Sequence, residues 1–138
     1  MGYRYLEHMT DAYIEVTGST LEEALANAGI SVVDTILDIK LVEEKTHKKI
    51  EINGKDLNNL LYNWLEEIII LTITEGFVAR KFSVQITKKD GYRLVATLDG
   101  EELNFKKHNF KVEIKSPTFH LMEIKQEKQV IMRFLLDL

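Results

Sequence analysis

The chain has 138 residues, 45% of them apolar, and a formal net charge of −4. This length and apolar content predict one domain, residues 1–138, with its own hydrophobic core. The sequence contains no cysteine, which excludes disulfides and thiolate metal sites. No apolar run reaches the roughly 18 residues of a membrane span, so we expect a cytoplasmic protein with no membrane partner.

Charge is divided unevenly along the chain. Residues 1–79 carry an excess of acidic side chains, whereas residues 80–115 carry an excess of basic ones. Such a division suits docking on a protein or a protein–RNA assembly. It also suits strands whose lysines keep sheet edges soluble. The balance does not favour autonomous nucleic-acid binding, which is typical of clearly basic domains.

The first half of the chain is predicted to contain strands and two helices. Alternating apolar and polar residues predict strands over residues 3–8, 12–17, 39–43 and 49–52, the last two as a hairpin. Ser19 and Thr20 each begin a capping box, and the helix that follows is expected to run to about Ile36. Asp56 is the expected N-cap of a second helix, in which leucines and Trp64 recur at helical spacing.

The second half is predicted to consist of strands. Asp90-Gly91 marks a hairpin, and further strands are expected over residues 110–115, 119–125 and 130–136. The order β-β-α-β-β-α followed by strands contains no repeated βαβ units. It therefore predicts an α+β fold in which two helices pack on a mainly antiparallel β-sheet.

The two ends of the chain carry the candidate metal ligands. Glu7, His8 and Asp11 lie within five residues of one another, and Asp137 closes an apolar run at the other end. Carboxylates are preferred ligands of Mg²⁺ and Ca²⁺. A site would also need oxygen from the terminal carboxylate of Leu138, a backbone carbonyl or water. Spacing alone does not bring the two ends together, and the alternative is a turn acid and an exposed terminal acid.

The sequence carries no enzymatic motif with a defined mechanism. It lacks a glycine-rich phosphate loop, a nucleophile elbow and an HExxH segment. The remaining histidines, His47, His108 and His120, are not at metal-ligand spacings. His108 and His120 flank Lys115 along the chain, but a structural role is the commoner one for a lone histidine.

Four segments, in matching order across nearly the whole chain, resemble the archease family. Residues 6–11 (LEHMTD) are similar to that family's Asp-His-Thr-Ala-Asp segment, with Glu7 in place of the first aspartate. Residues 60–65 (LLYNWL) resemble its Leu-Leu-Tyr-Asp-Trp-Leu stretch. Residues 107–120 resemble its pattern of two histidines around Glu-Ile-Lys. The ending Asp137-Leu138 resembles its terminal aspartate and apolar residue.

The resemblance implies an accessory protein of RNA processing rather than an enzyme. Its expected partner is a GTP-dependent tRNA-splicing ligase, whose guanylylation and multiple turnover it would promote. tRNA is implied only as an indirect partner. It implies a divalent metal ion, Ca²⁺ in a crystal and Mg²⁺ or another ion in the cell, bound by Asp11, Asp137 and Leu138. Glu7 and His8 are further candidate supports of that site. Lys115 is the implied contact for phosphate or for the partner.

Other interpretations stay open. A chaperone-like role toward a tRNA methyltransferase is the alternative within the family. A metal-dependent phosphoesterase would use the same carboxylates, and a passive binding module would use no metal. The second helix also carries the apolar residues Tyr62, Ile69 and Ile70 on its outer side. The oligomeric state is left open, and a self-contact that covers this side is one interpretation.

Overall fold

A computed structural model of the chain describes residues 2–6 and 11–138. The expectations for Glu7 and His8 lie outside the described residues. Within them the chain forms seven strands: β1 (Gly2–Leu6), β2 (Asp11–Gly18), β3 (Thr46–Gly54), β4 (Phe77–Lys88), β5 (Tyr92–Glu102), β6 (Ser116–Gln126) and β7 (Val130–Asp137). It also forms two α-helices, α1 (Leu21–Ile36) and α2 (Leu57–Ile69).

The strands are arranged in two antiparallel sheets. One sheet has the order β1-β2-β7-β6 and the other has the order β3-β5-β4. Each helix packs on both sheets, α1 on β2 and β4, and α2 on β6 and β3. The buried apolar side chains join into one core cluster. The predicted α+β class is confirmed, with the strands divided between two sheets rather than gathered in one.

Helix α1 begins where the second of the two predicted capping boxes lies. The Thr20 hydroxyl accepts a hydrogen bond from the Glu23 backbone N–H at 3.1 Å. The Glu23 carboxylate in turn accepts one from the Ser19 backbone N–H at 2.9 Å. Together the two side chains satisfy N–H groups that a helix start leaves without partners.

Helix α2 is fixed to α1 through its tryptophan. Asp56 caps α2 by accepting from the Asn59 backbone N–H at 2.8 Å. Trp64 is fully buried, and its indole Nε1–H donates to the Leu25 carbonyl at 2.8 Å.

Beyond α2 the chain widens into a short π-helical segment, Ile70–Thr74. Gly76, just after this segment, has a φ of +71°. No helix in the described part of the chain is long and apolar enough to span a membrane.

Two predicted strands are wrong. Residues 39–43 contain a 3₁₀ turn, Ile39–Leu41, because the Asp38 carboxylate accepts from the Lys40 backbone N–H at 3.2 Å and caps the turn. The strand that follows, β3, pairs with β5 instead. Residues 110–115 are irregular, because the N–H groups of Lys111 and Val112 donate to the Ile36 carbonyl at the end of α1. Phe110 and Ile114 of this segment pack on the core, although the segment is not a strand.

Candidate functional site

Asp11 and Asp137 lie directly opposite each other across the β2–β7 pair. Asp11 is the first residue of β2, Asp137 is the last residue of β7, and the register pairs them. Side chains at directly opposed positions have Cβ atoms about 5 Å apart. The structure therefore brings together the two acids whose meeting the sequence spacing could not establish.

Alternation along β2 and β7 puts both acids on the outer face of the sheet. On that face the next acid along β2, Glu15, is opposite Arg133. Hydrogen bonds from Arg4 and then from Arg133, at 2.8 Å each, hold the pKa of Glu15 below its usual range. The same ladder thus contains one acid–base pair and, at its end, one acid–acid pair. Like charges in direct opposition destabilise a sheet unless something neutralises them.

The two aspartates line an open cleft of about 520 Å³. Its walls come from β2, from the ends of β6 and β7, and from one residue of α2. The lining residues are Asp11, Tyr62, Ser116, Pro117, Thr118, Phe119, His120, Leu135 and Asp137. Among these described residues there is no lysine or arginine, so the formal charge of the wall is negative.

The described lining fits a hard divalent cation by the type of its donors. Asp11 and Asp137 supply carboxylate oxygens, which Ca²⁺ and Mg²⁺ prefer, and their like charges favour a bound cation. No group of three or more acidic or histidine side chains able to hold a metal occurs in residues 2–6 and 11–138. Full coordination would therefore draw on further oxygens, for which the terminal carboxylate of Leu138 is the nearest in sequence.

The implied contact Lys115 and the three remaining histidines divide into residues near the acid pair and residues away from it. Lys115 lies beside the acid pair, because its backbone N–H donates to the Asp137 carbonyl at 2.8 Å, and its side chain is exposed. His120 lines the cleft. His108 does not, since it is buried in contact with Glu101. His47 is exposed on β3.

No sequence pattern singles out Glu101, which is the centre of a buried charged cluster. Its carboxylate accepts from His108 Nε2 at 2.9 Å, from Lys107 Nζ at 2.8 Å and from the Glu43 backbone N–H at 2.8 Å. The Nδ1 atom of His108 accepts from the Asn104 backbone N–H, so the proton of the neutral ring is on Nε2. Burial opposes ionisation of Glu101, but these donors outweigh it and lower its pKa to about 2.

A second feature that sequence periodicity missed is an irregularity in β6, beside the cleft. Thr118 pairs with Leu135 and Glu123 pairs with Arg133, so residues 119–122 oppose the single residue Phe134. We call residues 119–122 the β6 bulge. Bulges of this kind re-aim side chains at sheet edges and near functional sites.

Fold and cleft together define a small α+β protein with an acidic cleft at the end of the β2–β7 pair. The model of the Archease protein family (MTH1598/TM1083) matches residues 3–138. The protein archease of Pyrococcus abyssi is 40% identical over 125 residues, covering 90% of this chain and 88% of that one. The protein archease of Pyrobaculum calidifontis is 37% identical over 139 residues, covering 99% and 95%.

A solved structure agrees with these sequence relatives. The solution structure of Methanobacterium thermoautotrophicum protein 1598 superposes with a TM-score of 0.85 at 35% identity, covering 99% of each chain. The chain described here belongs to the archease family.

Proposed function

We propose that this archease is an accessory protein of RNA processing that activates a GTP-dependent tRNA-splicing RNA ligase. It would act through a divalent metal ion held by Asp11, Asp137 and the terminal carboxylate of Leu138. The observation that carries the proposal is the direct opposition of Asp11 and Asp137 at the mouth of an open cleft. Membership of the archease family supports the choice of partner.

The acid pair is suited to present a cation to a partner. Both aspartates are at the ends of strands within a hydrogen-bonded ladder, so their backbones are held in place before any partner arrives. A divalent cation between them would neutralise their charges and attract phosphate oxygens. The exposed side chain of Lys115, next to the backbone contact with Asp137, offers a second positive charge for phosphate or for an acidic partner surface.

The described cleft does not pair a serine nucleophile with a base. Ser116 and His120 both line the cleft, but no hydrogen bond joins the serine hydroxyl to the histidine ring within the described residues. A serine without a neighbouring base is a weak nucleophile. The phosphoesterase alternative would instead require turnover by the isolated chain.

The proposal is tested by mixing the purified chain with a GTP-dependent RNA ligase and counting ligated RNA per ligase molecule. We expect several turnovers with the chain and about one without it, because the ligase would be guanylylated again after each cycle. The isolated chain, incubated with RNA, GTP and a simple phosphate ester, is the control and should yield no product. An unchanged product count would contradict the ligase role and direct the same assay to a tRNA methyltransferase.

A further inference from the structure

The β6 bulge holds a bulky residue in a backbone conformation that such residues avoid. Leu121 has a φ of +61°, in the left-handed region. A branched apolar side chain has no local hydrogen bond to offset that conformation, unlike asparagine or aspartate. Conformations of this kind persist where surrounding contacts impose them, and they concentrate at functional sites.

Contacts from two other elements hold the bulge in place. The Phe119 ring stacks on Tyr62 of α2, with centroids 4.4 Å apart and planes 10° from parallel. The Tyr13 hydroxyl of β2 donates to the Leu121 carbonyl at 3.2 Å. Phe119 is nevertheless 52% exposed and Leu121 is 45% exposed. The fold thus fixes two apolar side chains toward solvent instead of burying them.

The charge of the neighbouring wall indicates what the bulge contacts. Phe119 and His120 line the same cleft as Asp11 and Asp137, and the lining described above contains no lysine or arginine. The three carboxylates proposed as ligands exceed the charge of one divalent cation by one, so the site stays negative, whereas single-stranded nucleic acid normally binds aromatic side chains within a positive groove. Apolar side chains beside negative charge instead complement a protein surface that combines an apolar pocket with basic side chains.

We infer that the β6 bulge is a docking element that seats Phe119 and Leu121 in an apolar pocket, rimmed by basic side chains, on the partner protein. The inference rests on the proposed function, since the partner is the ligase that the acid pair serves. Phe119 has the character of an interface anchor, because its ring is pre-positioned on Tyr62 and loses little freedom on binding. The acid pair would then act on the partner while the bulge supplies affinity.

The test measures ligase turnover against the concentration of the chain, for wild type, Phe119→Ala and Leu121→Asn. Each variant should raise the concentration for half-maximal stimulation by about tenfold and leave the maximum unchanged, because an anchor contributes binding rather than chemistry. Asparagine accepts the left-handed backbone of position 121 more readily than leucine. The melting temperature of Leu121→Asn should therefore be unchanged or higher, which separates lost docking from lost folding.

The chain offers matched controls outside the cleft. Phe105 is 63% exposed and stacks on Phe110 with centroids 4.4 Å apart, which reproduces the Phe119–Tyr62 arrangement elsewhere. Leu41 is 43% exposed, close to the exposure of Leu121. Phe105→Ala and Leu41→Asn should leave the half-maximal concentration unchanged.

Three results would overturn the docking role. The first is a half-maximal concentration that stays at the wild-type value in both bulge variants. The second is an equal shift in the control variants, which would mean a general loss of solubility or fold. The third is weaker binding of a fluorescent tRNA fragment by Phe119→Ala in the absence of ligase, which would assign the bulge to RNA. Failure of wild type to stimulate the ligase would instead reject the proposed function, and the docking inference with it.

Discussion

Stimulation of the ligase is expected to fall to the level of the ligase alone when Asp137 is replaced by asparagine. The Asp137→Asn side chain keeps its size but loses the anionic oxygen that would bind a cation opposite Asp11. No described residue forms a hydrogen bond or ion pair with the Asp137 side chain, so the backbone pairing should survive. The measurement is covalent guanylylation of the ligase by labelled GTP, with an expected decrease of at least about tenfold.

Asp90→Asn is the matched control for this loss. Asp90 is an exposed turn residue with a φ of +50°, a conformation that asparagine adopts as readily as aspartate. The substitution removes the same charge from the chain as Asp137→Asn does, but at a position outside the acidic cleft. Full stimulation by Asp137→Asn would show that the acid pair is not the functional element, whereas equal loss in both variants would point to net charge alone.

The buried cluster around Glu101 is expected to make the fold sensitive to acid. Because the pKa of Glu101 is about 2 in the folded chain, against an ordinary value of 4.5, the unfolded chain binds more protons between these two values. The contribution of Glu101 to the stability of the fold is complete above about pH 4.5 and is lost as the pH falls toward about 2. A difference of this size corresponds to about 3 kcal/mol of unfolding free energy at neutral pH.

Glu101→Gln should therefore lower the free energy of unfolding by about 3 kcal/mol near pH 7, because Lys107 loses its buried counter-charge. The difference from wild type should shrink near pH 3, where the wild-type carboxylate already contributes less. Urea unfolding at the two pH values measures both effects. Glu102→Gln, at the exposed neighbouring position, is the control and should change little. Equal stability of Glu101→Gln and wild type at neutral pH would contradict the role of the cluster.

Periodicity and capping residues predicted the elements that bury one clear face. Trp64 and the leucines of α2 recur at helical spacing around a buried stripe, and Asp56 caps that helix as expected. The alternation over residues 130–136 likewise predicted strand β7, whose inner side chains are buried. In both cases the pattern and the burial have the same physical origin, so local sequence was sufficient.

Features that depend on distant backbone partners were not predictable in this way. Residues 110–115 alternate like a strand, but their N–H groups bond to the carbonyl end of α1. The cluster of Glu101 with His108 and Lys107 depends on a turn that no local pattern identifies. The β6 bulge follows from the pairing register with β7, which the sequence of β6 alone does not encode.

The candidate site falls between these two cases. Asp11 and Asp137 are at opposite ends of the chain, and only the antiparallel pairing of β2 with β7 makes them neighbours. The resemblance to a family supplied the expectation that they meet. The register bears out that meeting in this chain, while a metal ion between them stays a prediction.

Thermal unfolding of wild type and Asp137→Asn, each in EDTA and in excess Ca²⁺, tests the metal site most directly. In EDTA the variant should melt at or above the wild-type temperature, because one of two opposed like charges is gone. With Ca²⁺ at about a hundred times its dissociation constant, the free energy of unfolding of wild type should rise by about 2.7 kcal/mol, and its melting temperature should rise with it. Neither quantity should rise in the variant. A wild-type melting temperature that is the same in EDTA and in Ca²⁺ would contradict a divalent site at the acid pair.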